Sequence, residues 1–321
     1  MSPDLMHTRP PESWGVRLDD ASIARLADRW GEDEFPLPAF DYPGTPADRD
    51  EAWWYDYVTL AVSVLACLWP PEGDEMWRIE LDGEWLDDAP GIFAVFTRAM
   101  RVGGLSVDHF ASLSPADGAA LFAGRGTLQL IPERIELLRS VGASIQDAWG
   151  GTARHLVEDA GHDATGIVDR LIDTVPGYRD RPVSSEGELC FDKLAHLAAA
   201  IMGAGRGWRA GGFHGFENFP VYPDYMLPRI FRHFGVMVYD ADLAAQVDSG
   251  QLIAAESPAE LGIRWATIWA GEQLRQALSA RRSPDRAVLA PALDYRLWSE
   301  AVLGPDAADF GLHHRTITLR Y

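Results

Sequence analysis

The sequence predicts a mainly α, multi-helical fold carrying one small β-hairpin. Three observations lead there. Apolar residues recur at helical spacing along most of the chain, strand-like patterning is confined to residues 76–85, and 47% hydrophobic residues in a chain of 321 can bury a sizeable core. That core suits a single globular unit over residues 1–321, drawn as two helical lobes around a central cleft, with residues 1–50 the least determined part.

Taken in order, residues 19–31 (DDASIARLADRWG) open with an Asp cap, place Ile23, Leu26, Ala27 and Trp30 on one face and stop at Gly31. Further helices are predicted over 51–68, 90–102, 115–123, 132–148, 164–174, 188–202, 228–234, 240–248, 260–281 and 293–302. The hairpin joins MWRIEL to EW through Asp82-Gly83, a pair suited to a tight two-residue turn. Residues 31–50, 175–187 and 203–228 read as irregular. The last of these combines glycines and prolines with Phe213, Phe216, Phe219, Trp208, Tyr222 and Tyr225. Flexible linkers do not carry so many rings, which must tuck into a core or line a ligand site.

The charge balance narrows the function. With 48 acidic against 28 basic residues the chain carries a formal net charge of -20, and its surface should repel polyanions. A DNA or RNA polymer is therefore not an expected partner, and any nucleic-acid chemistry would concern a small molecule. No apolar run is long enough for a membrane helix, and MSPDLMHTRPPE lacks the plan of a signal peptide, so a soluble cytoplasmic protein without a membrane partner is expected. Cys67 and Cys190 lie in apolar, helix-like surroundings and read as reduced core residues. The oligomeric state is open.

Motifs for dinucleotides, phosphate loops, zinc proteases and serine hydrolases are missing, and His313-His314 is adjacent where metal ligands need wider spacing, so neither a metal nor another cofactor is expected. Asp224, in PVYPDYMLPR, carries two readings. It precedes a helix opened by Pro228 and can satisfy that helix's first amides; confined by Pro223 between two tyrosines, it can equally oppose a cationic transition state. Lys193 lies at the border of a stripe formed by Cys190, Leu194, Leu197, Ala198 and Ile201, either snorkelling outward or turned inward to an anion. Arg179 in PGYRDRP pairs locally with an acid or meets a phosphate. In LDYRLW, Asp294 shares a face with Leu297 and Trp298 while Tyr295 points elsewhere. An acid beside a buried face needs a partner, such as the amidine-like edge of a purine.

Together PGYRD at 176–180, FDKLA at 191–195, YPDYMLP at 222–228, LDYRLW at 293–298 and the terminal HR at 314–315 resemble the queuosine salvage protein family, from about residue 50 onward. One stretch departs: AVSVLACLW at 61–69 stands where the family carries a polar Asp-x-x-Asn stretch. The resemblance implies a helical fold similar to the helix-hairpin-helix DNA glycosylases, no metal or redox cofactor, and hydrolysis of queuosine 5'-monophosphate to release queuine. It places Asp224 and Lys193 on the family's Asp and Lys as the catalytic pair. By chemistry, Asp224 would face the oxocarbenium ion and Asp294 the edge of the 7-deazaguanine. Phe213, Tyr222, Tyr295 or Trp298 would stack on the base, and Lys193, Arg179 or His314-Arg315 would meet the phosphate. The alternative is a protein that binds a deazapurine or nucleotide without chemistry.

Overall fold

The computed structural model describes residues 2–321. It is mainly helical, with thirteen α-helices and three two-stranded antiparallel pairs among the described residues. Contacts divide the chain into two compact units, one made of Met1–Pro38, Asp180–Lys193 and Phe216–Thr318, the other of Ala39–Arg179, Leu194–Gly215 and Leu319–Tyr321.

The first unit is built on the long helix Pro258–Ser279, capped by Ser257, whose hydroxyl accepts from the Glu260 amide. Its mid-section is apolar nearly all round, as a helix surrounded by others must be. Helices Asp20–Arg29, Met226–His233 and Ala290–Leu303 contribute Leu26, Trp30, Leu227, Ile230, Phe231, Leu293 and Leu297 to one continuous core with Ala266, Ala270 and Leu274 of the long helix. Asp19 caps its helix through the Ser22 amide, as the sequence predicts. A second cluster sets Leu189 and Phe191 against Leu261, Trp265 and Ile268 of the long helix.

In the second unit, helix Glu51–Ser63 supplies Trp54 and Tyr57, whose rings stack at 5.6 Å, and Tyr57 meets Phe93 and Phe96 of helix Asp88–Arg101. The hairpin pairs Arg78–Leu81 with Glu84–Asp87, and both turn residues, Asp82 and Gly83, take positive φ, the conformation that favours Asp-Gly.

Several boundaries differ from expectation. The helix predicted over 51–68 stops at Ser63. Beyond it the wholly buried Arg134 gathers the carbonyls of Val64, Ala66 and Cys67, with Ala66 O at 2.6 Å, so these groups point at a guanidinium instead of along a helix axis. Cys67 has φ +50° there; it is buried but not helical. The helix predicted over 188–202 starts only at Lys193, because Gly187–Glu188 pairs with Val183–Ser184. Cys190 is thus outside the helix and partly exposed, which removes it from the stripe that was to contain Lys193. No disulfide joins the two cysteines. The short helices Val107–Ala111 and Ala153–Asp159 and the pairing of Val16–Leu18 with Met237–Tyr239 were not expected.

Candidate active site

Asp224 is held by a relay of hydrogen bonds that begins on another element of the first unit. Asp294, one turn into helix Ala290–Leu303, is buried, and its Oδ1 accepts the Tyr222 amide at 2.7 Å. The Tyr222 carbonyl accepts the Asp224 amide at 2.8 Å across Pro223. A bond between residues two apart closes a γ-turn, whose central φ proline already favours. Asp224 Oδ1 then accepts the amides of Met226 and Leu227 at 2.8 and 2.9 Å.

The capping reading of Asp224 therefore holds. Helix Met226–His233 begins two residues earlier than predicted, with Pro228 in its first turn, where a missing amide hydrogen costs nothing. The segment rests on the long helix at Gly271, where a Cβ would come within 2.3 Å of Val221 Cγ2. No larger residue fits at Gly271 without moving Val221, three residues from Asp224.

Tyr222 and Tyr225 are both buried, whereas Asp224 keeps part of its surface accessible. Burial raises its carboxyl above the ordinary carboxylate range, against the opposing charge of Lys193 and the two amides. For Asp294 burial is again the main cause and the charge of Asp224 adds to it. Its carboxyl is pushed well above the usual range despite the Tyr222 amide and Lys193. Both carboxyls are thus raised, Asp294 the more strongly through its deeper burial and the charge of Asp224. Lys193 is only 6% exposed, so its charge does not snorkel to solvent but acts on both acids.

The remaining candidates divide between the units. Tyr295 and Trp298 lie half-buried on the helix of Asp294 with their rings 6.2 Å apart and nearly parallel, so Tyr295 does not turn away from that face as expected. His313 packs on Tyr225 at 4.8 Å and its Nδ1 donates to the His314 carbonyl. His314 is buried and burial pushes its ring down to about 3, which keeps it neutral. It differs in this from the cation expected for a phosphate. Arg315 is half-buried, its guanidinium beside Gly250 and its carbonyl accepting the Ile253 amide at 2.8 Å. Phe213 and Arg179 belong to the second unit. There Phe213 is buried against His162 and Tyr55, and Arg179, about half exposed, lies 3.8 Å from Asp173.

A buried ionic network beside Lys193 escaped sequence reasoning. Arg264, 2% exposed, pairs with Asp180 and Glu260 and stacks 3.9 Å over Phe191. The signal available was Glu260 four residues before Arg264 inside an apolar helix, where charges persist only when paired. Among the described residues no three His, Cys, Asp or Glu side chains converge as a metal site requires, and no helix is long and apolar enough to cross a membrane.

Comparison with known proteins agrees with these motifs. The Queuosine salvage protein family model matches residues 46–321. A Sphaerobacter thermophilus protein named queuosine 5'-phosphate N-glycosylase/hydrolase is 29% identical over 313 residues, spanning 97% of this chain and 94% of its own length. Proteins of the same name from Mus musculus and Dictyostelium discoideum are 24% and 27% identical, over 80% and 59% of this chain and 78% and 58% of theirs. With the match running through the segments that carry Lys193, Asp224 and Asp294, the chain belongs to the queuosine salvage protein family.

Proposed function

We propose that this chain is a hydrolase that cleaves the N-glycosidic bond of queuosine 5'-monophosphate and releases queuine for salvage. The observation that carries the reading is its likeness, over nearly its whole length, to a relative bearing the name of that activity. The acidic balance of -20 favours a monomeric nucleotide over a polymer, and a cytoplasmic site of action and a fold akin to the helix-hairpin-helix DNA glycosylases belong to the same proposal.

In the proposed mechanism the bond between the ribose C1' and the base nitrogen breaks with its electron pair leaving on the base. Positive charge gathers on the sugar, and a water oxygen forms the new bond to C1'. Asp224, ionised and oriented through Oδ1 by two amides, opposes that charge and takes the proton of the water. Passing that proton on to the base nitrogen lets the base depart as a neutral molecule and returns Asp224 to its carboxylate form. Asp294, whose carboxyl burial pushes well above the usual range, suits a single hydrogen bond to the base better than the two-acceptor grip on a guanine-like edge, since Oδ1 already serves Tyr222. Lys193 supports the charge on Asp224 and meets the phosphate with Arg315, and Tyr222, Tyr295 or Trp298 stacks on the base.

The test is incubation of purified protein with queuosine 5'-monophosphate while free queuine is followed by chromatography. Release at a rate proportional to enzyme is expected. Tight binding with no release would instead establish a carrier, the reading favoured by the wholly buried, apolar 61–69 stretch.

A further inference from the structure

We propose that Asp192 is a positioning residue for Lys193, setting where its ammonium lies relative to Asp224 and Asp294. The inference rests on the role given to Lys193 above. Asp192 immediately precedes Lys193 and is buried at 2% exposure with φ +42°, a left-handed conformation unusual for a residue other than glycine. Asp tolerates that region better than most residues, but holding it there still costs free energy that the surroundings must offset.

The surroundings explain why Asp and not Gly occupies the position. Oδ1 accepts the Asp180 amide at 2.8 Å and Oδ2 accepts Arg181 Nε at 2.7 Å, so one carboxylate grips two successive residues of the segment leading into strand Val183–Ser184. In return the Asp180 carbonyl accepts the amides of Phe191 and Asp192, and the Pro182 carbonyl that of Leu189. Asp180 is itself tied by its side chain to Arg264 on the long helix, and the same guanidinium lies over Phe191. The segment entering Lys193 is thus clamped to the scaffold by backbone, carboxylate and guanidinium within three residues of the ammonium-bearing side chain. A long, flexible lysine is costly to order, and a rigid root removes part of that cost.

The test compares Asp192→Gly, which accepts the backbone conformation but removes the carboxylate, with Asp192→Asn, which keeps the conformation and one acceptor, and with Lys193→Met. Turnover of queuosine 5'-monophosphate and the pH dependence of kcat/KM are measured alongside thermal melts. Displacing the lysine cation weakens the attraction that lowers the Asp224 carboxyl. The acid limb of kcat/KM should therefore move to higher pH in Asp192→Gly, by roughly one pH unit, in the same direction as in Lys193→Met. A fall in kcat of at least about tenfold should accompany it, with Asp192→Asn recovering most of the loss.

An unmoved limb and turnover within about twofold of the parent in a folded Asp192→Gly protein would overturn the inference while leaving Lys193 in place. Parental behaviour of Lys193→Met would remove the role of Lys193 and the inference with it. Should Asp192→Gly fail to fold, Arg181→Gln, which loosens only the Oδ2 contact at a half-buried site, should shift the limb in the same direction. No shift there would also overturn it.

Discussion

Replacing Asp224 by asparagine separates the two things this residue does. Its Oδ1 accepts the Met226 and Leu227 amides at 2.8 and 2.9 Å, and an asparagine side-chain oxygen can do the same, since Asn and Asp cap helices about equally well. The buried charge disappears. Because burial raises the carboxyl of Asp224 in the folded protein, ionising it costs stability as pH rises, and the Asn variant escapes that cost. Asp224→Asn should therefore melt no lower than the parent at pH 8. Its turnover should fall at least about 10²-fold, which is what loss of one preorganised electrostatic partner costs, roughly 2.7 to 4 kcal/mol. Asp224→Ala should lose the same activity and in addition the cap, about 1 kcal/mol, seen as a melting point lower by about 2–4 °C in a unit of this size. The assay is queuine release under saturating nucleotide, paired with thermal melts of the same preparations. Turnover within about threefold of the parent in Asp224→Asn would refute the mechanism and leave Asp224 as a helix cap alone.

Three further outcomes follow from the same geometry. Gly271→Ala should push Val221 off the long helix, lowering stability by about 1–3 kcal/mol in urea titrations and reducing turnover through the displaced Asp224 segment; an unchanged kcat would show that the segment relaxes without moving the carboxylate. Asp294→Leu leaves the buried Tyr222 amide without its acceptor and should lose about 1–3 kcal/mol, whereas Asp294→Asn should keep it; equal stabilities would mean that the amide finds another partner. In the second unit, Asp56 caps helix Ala153–Asp159 through the Ala153 amide and the Thr152 hydroxyl, and burial raises its carboxyl from 3.8 to about 6. The folded protein then binds more protons than the unfolded chain between those values. The contribution of Asp56 is full below pH 3.8 and is lost as pH rises past 6, by at most about 3 kcal/mol. Asp56→Asn should flatten that fall between pH 4 and pH 7 in urea titrations, and an identical pH dependence in the variant would exclude Asp56 as its source.

What the sequence disclosed, and what it did not, follows from the range of the interactions involved. Helix positions rest on local spacing and capping, so the starts predicted at 19, 115 and 260 are kept within a few residues. The end of the helix at Ser63 does not, because it is set by Arg134, seventy residues further along the chain from Val64. Pairing of Val16–Leu18 with Met237–Tyr239 is hidden for the same reason, each strand being only three residues long with no local turn to join them. At the site, Asp224, Asp294 and Lys193 were visible as acids and a cation in apolar company. Their relation was not: the Asp294–Tyr222 bond spans 72 positions, and nothing near Asp294 in sequence distinguishes a base ligand from a brace for the loop. The neutral state of His314 is largely non-local, since it follows first from burial, with the charges of neighbouring His313 and of Arg264, fifty positions away, adding to it.

The capping and catalytic readings of Asp224, opposed when only the sequence is considered, are compatible once the geometry is known. A carboxylate that must meet a developing cation has to be fixed beforehand, or its reorganisation is added to the barrier. The Met226 and Leu227 amides fix Oδ1, the γ-turn at Pro223 fixes the backbone, and Asp294 fixes that turn through Tyr222. The same amides lower the Asp224 carboxyl, as does Lys193, and so offset part of what burial does to raise it. Asp294 has one amide, a second acid beside it and deeper burial, and its carboxyl is pushed further in the same direction, well above the usual range. Both carboxyls are thus raised, Asp294 more strongly than Asp224, and an inequality of that kind is what an acid pair needs if its two members are to play different parts in cleaving a glycosidic bond.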